Sequence, residues 1–438
     1  KAAEIRETQL GDFQGAIEHY KRVLELDDSH LDAASSLERL YHQGERYEEL
    51  AKIYLTKSGM LPSVDEQKDY LFRGAATYEE VLERPLDAIE VYRQVLTLDP
   101  EDLQALDKLI ELYLRLEKWE SLLEVYTRKA DIVDDPDEKK RLYVEVGAVY
   151  ERELGDVSKA IDTYQRILEI DPEDLTAIGR LDALYQQTQN WQELLSVLER
   201  EADLAHEPDE VISYRYRIAE LWHRKLGDAS RAVDIYREIL EQIPDHGPTL
   251  AALESMIDEK LVPVSAAGVL EPVYRQAGEF AKLVRVHEVQ NEHEEDPARK
   301  VELLHQIAQL WEDALDNPAK SFEAYGRALP FDNRNEDTIS HLERLAPSVD
   351  GWREVTRLYD VEIAKIKAES PADVVDLALR SAKAYESQIG DVDAAIAHHV
   401  LVFEADPAHT EAIESLDRLY QATGRWRELS EILKVEIQ

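Results

Sequence analysis

Residues 154–204 read LGDVSKAIDTYQRILEIDPEDLTAIGRLDALYQQTQNWQELLSVLEREADL. Leu175, Ile178, Leu181, Leu184 and Tyr185 fall at the i, i+3, i+4 spacing of an amphipathic helix. After a short polar turn the apolar stripe resumes at Trp191, Leu194, Leu195, Leu198 and Ala202. Gly155-Asp156 supplies a glycine helix stop followed at once by a new N-cap. Asp171-Pro172-Glu173-Asp174, like Asp99-Pro100-Glu101-Asp102, predicts a helix start with the Asp before Pro as cap, Pro at the first helical position and acids in the first turn. No period-2 apolar run competes, so the chain is expected to be all-α.

Working outward, the same frame recurs. Leu10-Gly11-Asp12 and Leu226-Gly227-Asp228 repeat the stop, and a ring follows at Tyr20, Tyr92, Tyr164, Tyr236, Tyr325 and His399. Consecutive members of that series lie 72, 72, 72, 89 and 74 residues apart. An interleaved series, Tyr47, Trp119, Trp191, Phe280, Trp352 and Trp426, steps by 72, 72, 89, 72 and 74. Two independent markers with nearly the same rhythm define a double motif of two helical hairpins, and about twelve hairpins fill the chain. The first hairpin of each pair carries one extra turn residue, between Tyr150 and Gly155 in the third pair. Tyr41, Tyr113, Tyr185, Tyr274 and Tyr420 recur in register and read as core. Trp119, Trp191, Trp352 and Trp426 open second helices and read as staples between hairpins.

Ile178-x2-Leu181-Asp182-x2-Tyr185 followed by Leu194-x3-Leu198, and Ala160-x3-Tyr164 followed by Pro172, resemble the tetratricopeptide repeat. Glu38, Asp182 and Asp417 stand where that family has Gly or Ala, and Leu50, Leu122 and Leu194 replace its small alanine, so every other hairpin is expected to pack differently. The resemblance implies a right-handed superhelix whose first helices line a hollow that receives proteins or peptides. In the family register the hollow positions are Arg141, Val144, Glu145, Ala148, Glu151 and Arg152, and on the next such helix Tyr216, Arg217, Glu220, His223 and Arg224. No Lys/Asn set recurs, so the carboxylate clamp of some members is not supported. The 72-residue block is similar to long bacterial arrays, including those of gliding bacteria, which serve motility, cell polarity or envelope assembly.

The rhythm breaks once. Tyr236 to Phe280 spans 44 residues where Tyr164 to Trp191 spans 27, which places 17 extra residues within 243–278. An additional helix is predicted from Thr249 to about Lys260, with Val264 to Ala277 forming the helix that carries Tyr274. The chain is accordingly divided into an array over 1–243, an irregular hairpin with insertion over 244–278, and a second array over 279–438. It opens at Lys1, in register with Glu145 and so within a helix, and is expected to be a piece of a longer protein.

Composition narrows function by exclusion. Acidic side chains number 93 against 51 basic, for a net charge of −42. That balance disfavours nucleic acid and bare anionic membranes, which are held by clustered Lys and Arg. Basic partner surfaces are expected instead. No apolar run approaches the length needed to span a bilayer. The absence of Cys removes thiol chemistry and Cys-ligated metals, and is compatible with cytoplasm or periplasm. There is no glycine-rich phosphate loop. His287-Glu288 lacks the second histidine of a zinc-protease motif, because the next one is His293. His398 and His399 are adjacent and point to different faces, and His399 holds a packing position filled by Tyr in five sister hairpins. The expectation is a non-enzymatic scaffold or adaptor without cofactor or metal. A regulatory segment of a larger multidomain enzyme and a self-assembling array are the alternatives.

Overall fold

The computed structural model describes residues 1–436, which contain 25 α-helices and no strand. They form two compact units, one ending at His206 and the other beginning at Glu207. Each unit holds three blocks of the repeating plan, and block three shows it: Pro136–Ala148, Val157–Ile170, Leu175–Thr188 and Trp191–Leu204, the first to fourth helices of the block. The apolar stripes read from the sequence are the buried faces. Ile178, Leu181, Leu184 and Tyr185 of the third helix and Leu194, Leu195 and Leu198 of the fourth are all buried. Second-helix rings sit deepest: Tyr164, Tyr236, Tyr325 and His399 are 0 % exposed. The third-helix tyrosines, Tyr41 through Tyr420, are buried as well. Trp119, Trp191 and Trp352 are half-buried at the starts of their helices, whereas Trp426 is 64 % exposed.

Gly147 shows how closely these helices meet. A Cβ at that position would lie 2.7 Å from the Tyr164 ring, a distance no side chain tolerates, so the first helix approaches the second through bare backbone.

In blocks two to six the extra turn residue of the first hairpin is absorbed by a π-helical turn. Such turns close the first helices at Thr77–Val81, Val149–Glu153, Trp222–Leu226, Leu310–Ala314 and Tyr385–Ile389. In block three the Leu154 N–H donates to the Val149 carbonyl at 3.1 Å, and the Asp156 N–H donates to the Tyr150 carbonyl at 2.8 Å. These are bonds of five and six residues where an α-helix makes them over four. A left-handed residue follows: Gly155 at φ 65° and Gly227 at φ 76°, with Glu83 and Asp316 in the same place at φ 52° and 47°. The second hairpins turn on Glu45, Glu117, Gln189, Gly278, Asp350 and Gly424, all likewise left-handed. Each of the twelve hairpins thus turns on one such residue, and Lys260 and Val262 are the others, at the insertion.

One expectation about helix starts is corrected. Asp99 and Asp171 do not cap the helices that follow. Asp102 and Asp174 do, accepting from the N–H of Ala105 at 2.8 Å and of Ala177 at 3.0 Å, and the helices begin at Leu103 and Leu175. Asp99 and Asp171 instead close the preceding turn by accepting from Glu101 and Glu173 N–H, which leaves Pro100 and Pro172 in the turn.

Block four contains five helices: Gly247–Asp258 is the additional one and Pro263–Ala277 carries Tyr274, both close to the predicted bounds. The insertion is built into the core: Leu253 and Met256 are fully buried in one cluster with Ala266, Leu270 and Tyr274. Glu254 accepts from the Tyr274 hydroxyl, just as Arg93 and Gln165 of second helices meet Tyr113 and Tyr185 twenty residues on. Toward Tyr274, the inserted helix therefore does what a second helix does elsewhere.

Candidate functional site

The site is built on first helices, whose flanks face two ways. One flank packs on the second helix of the same hairpin. There, in the first three blocks, an acid thirteen residues ahead of the second-helix ring takes its hydroxyl: Tyr20 to Glu7 at 3.2 Å, Tyr92 to Glu79 at 3.4 Å and Tyr164 to Glu151 at 3.2 Å. Burial, with the adjacent Glu151 carboxylate, pushes the Tyr164 phenol up to about 12. Arginines of third helices neutralise the acids, as Arg115 does Glu79 at 3.5 Å and Arg344 does Glu312 at 2.7 Å. Thus Glu151, placed in the hollow by sequence register, is half-buried and committed to Tyr164.

His223, placed in the hollow by sequence register, holds the same position in block four and is buried there. It is only 7 % exposed, with Nε2 3.5 Å from a Glu259 carboxylate oxygen. It lies seven residues, two turns, beyond Tyr216, and both are on the flank that meets the second helix. The Tyr216 ring is half-buried with its centroid 5.9 Å from Tyr236 and 5.8 Å from His246. Arg217 is half-buried, and Arg224 is exposed and pairs with Glu220 at 3.3 Å.

The block-three first helix also borders a hollow of about 340 Å³ that brings together Arg141, Val144 and Glu145 with Asp137, Lys140, Asp174 and Thr176. Arg141 and Glu145 are exposed, and Val144 and Ala148 are half-buried. Arg152 is exposed one turn beyond Ala148 and does not line this hollow. A second open hollow of about 610 Å³ lies between Glu336–Val349 and the last block's first helix, Val375–Ala384, lined by Glu336, Glu343, Trp352, Asp376, Leu379 and Arg380 among others. Arg380 crosses it, bonded to Glu336 at 2.8 Å and to Glu343 at 3.3 Å.

Sequence reasoning missed a latch beside the first hollow. Lys140 reaches Asp171 at 2.6 Å, Asp174 at 3.4 Å and Asp137 at 3.4 Å. One block earlier Lys68 reaches Asp99 at 2.7 Å and Asp102 at 2.5 Å. Hydrogen bonds to these carboxylates, Asp171 first for Lys140 and Asp102 first for Lys68, raise both ammonium groups well above the usual lysine range. The later blocks replace lysine and cap together: Ile212 with His246, Val301 with Asn335, and Val375 with His409. That joint replacement was the available signal, since lysine appears only where both acids do.

Among the described residues no group of three or more His, Asp or Glu side chains is placed to hold a metal ion, and no helix is long and apolar enough to cross a membrane. Family models described as tetratricopeptide repeat match residues 105–140, 140–174 and 177–212. These are three consecutive hairpins of the plan seen throughout. Residues 105–212 are tetratricopeptide repeats.

No curated protein sequence matches the chain. Among solved structures, the array is similar to MamA at 20 % identity, covering 46 % of this chain and 92 % of that one with a TM-score of 0.24. It is similar to YrrB, described as a TPR protein with an unusual peptide-binding site, at 18 % identity over 42 % and 91 % of the two chains, with a TM-score of 0.25. A tetratricopeptide repeat protein from Parabacteroides merdae is 14 % identical over 64 % and 98 %, with a TM-score of 0.26.

Proposed function

We propose that this array is a scaffold that holds partner proteins or extended peptides against its first helices, and that the partner surfaces are basic. The observation that carries the reading is the hollow at Arg141, Val144 and Glu145, where apolar surface, a guanidinium and a carboxylate lie together on a rigid helix. A net charge of −42 supports basic partners, whose approach it steers. The similarity to long bacterial arrays extends the proposal to motility, polarity or envelope assembly.

Photo-crosslinking tests the reading. Benzoylphenylalanine placed at Arg141 or Glu145 is expected to capture discrete partners from an extract of the native organism. The same probe at Arg166, exposed on a second helix, is expected to capture few. Equal capture from Arg166 overturns the assignment of this face.

A further inference from the structure

We propose that the hollow beside Val144 is a socket for an aromatic side chain of an extended peptide that also carries basic residues. The inference deepens the scaffold reading and rests on it. Twenty residues ahead of each second-helix ring, the first helices of blocks two to six carry Phe72, Val144, Tyr216, His305 and Leu379. Three of these are rings, and each lies against its second-helix ring: Phe72 is 5.7 Å from Tyr92, Tyr216 is 5.9 Å from Tyr236 and His305 is 5.2 Å from Tyr325, between centroids. Two also reach the start of the next helix. The Tyr216 ring is 5.8 Å from His246, the residue that precedes Gly247–Asp258, and His305 Nε2 is hydrogen-bonded to Thr338 Oγ1 at 2.7 Å.

In block three the position is Val144, which supplies no ring. The corresponding place, between the first helix and the Asp174–Thr176 start of the third, is the hollow of about 340 Å³. The chain's own rings therefore show what shape fits there. Leu379 is also ringless, but it lines the other hollow, where Trp352 already provides an aromatic wall.

The rim adds chemistry. Lys140 occupies Asp137, Asp171 and Asp174, and Arg141 is left without an ion pair among the described residues. An exposed guanidinium beside the socket is placed to lie over an incoming ring, which its positive charge attracts. Glu145, exposed on the same rim, offers a carboxylate to a Lys or Arg next to that ring. Burial of the aromatic body drives the insertion, and the two charges set its orientation.

A displayed random-peptide library, selected on the full chain at low salt and again on Val144→Phe, tests this. The expected peptides share Phe, Tyr or Trp near Lys or Arg, and lose at least about tenfold in affinity on Val144→Phe, which fills the socket from within. Arg141→Ala, at an exposed position, is expected to lose about threefold. N-acetyl-tyrosine amide is expected to compete where N-acetyl-leucine amide does not, a readout independent of how Val144→Phe folds. Peptides without an aromatic residue, or peptides bound equally by a well-folded Val144→Phe, overturn the socket and leave the scaffold reading standing. Equal competition by the two amides overturns the socket in the same way. A library that yields no binder overturns both.

Discussion

Glu117 turns its hairpin at φ 52°, a conformation that an L side chain holds at a cost of about 1–2 kcal/mol. Gly155, Gly227 and Gly390 make the equivalent first-hairpin turns without that cost. Glu117→Gly is therefore expected to stabilise the array by about 0.5–1 kcal/mol in urea denaturation, the gain being reduced by the greater freedom of glycine in the unfolded chain. Gly147 predicts the opposite sign. Its missing Cβ is the space that the Tyr164 ring occupies, so Gly147→Ala is expected to cost about 1–3 kcal/mol by overpacking. An alanine variant as stable as the parent in the same measurement would show that the first helix can shift away from Tyr164.

At the scale of the element, the last block joins its helices through two adjacent histidines of opposite tendency. Burial works against charge on His398, but its hydrogen bond to Asp360 at 2.7 Å, from another helix, outweighs that and raises its pKa. Asp360 also accepts from the Tyr385 hydroxyl at 2.6 Å and from the Ser381 hydroxyl at 3.2 Å. His399 is fully buried, and burial lowers its pKa in spite of Glu386 nearby. A raised folded pKa gives stability that is present below the unfolded value of about 6.5 and is lost as pH rises through the folded one. A lowered one gives the reverse, with stability lost as pH falls below about 6.5. His398→Asn is therefore expected to destabilise more at about pH 6 than at about pH 9. His399→Tyr, which restores the residue of the sister blocks, is expected to gain on the parent as pH falls. Urea titrations across that range check both, and a gap that does not change with pH would sever the link to protonation.

Much of this level was legible beforehand. The helices, the twelve hairpins and the inserted helix follow from rings and glycine stops that recur in fixed register. The caps shifted by three residues because Asp99 and Asp102 carry the same turn chemistry, and only the path of the backbone decides which one meets the helix. The burial of His223 was not legible because register names a helix position without saying which neighbour that flank meets.

For the molecule as a whole, the charge surplus is the property that acts at a distance. With the partner identified by crosslinking, raising salt from about 50 to about 500 mM is expected to slow association at least about tenfold, because the screening length falls well below 10 Å. The dissociation rate is expected to change far less, since Val144 and its neighbours hold the complex by contact. Stopped-flow mixing separates the two rates, and an on-rate indifferent to salt would rule out steering. Charge was readable from composition alone. The socket was not, because it arises from an absent ring, and an absence has meaning only once the sister rings have been placed.

The latch at Lys68 and Lys140 has an evolutionary consequence. Each lysine and the carboxylates it binds across the block lie about thirty residues apart, while the later blocks carry an aliphatic residue and a His or Asn cap at the same two places. Unequal crossing-over between an early and a late block, with its breakpoint between those places, would strand either an ammonium or a carboxylate without its mate. Breakpoints that keep the latch whole lie outside that interval, so exchange by whole paired units preserves it and exchange of halves between early and late ones does not.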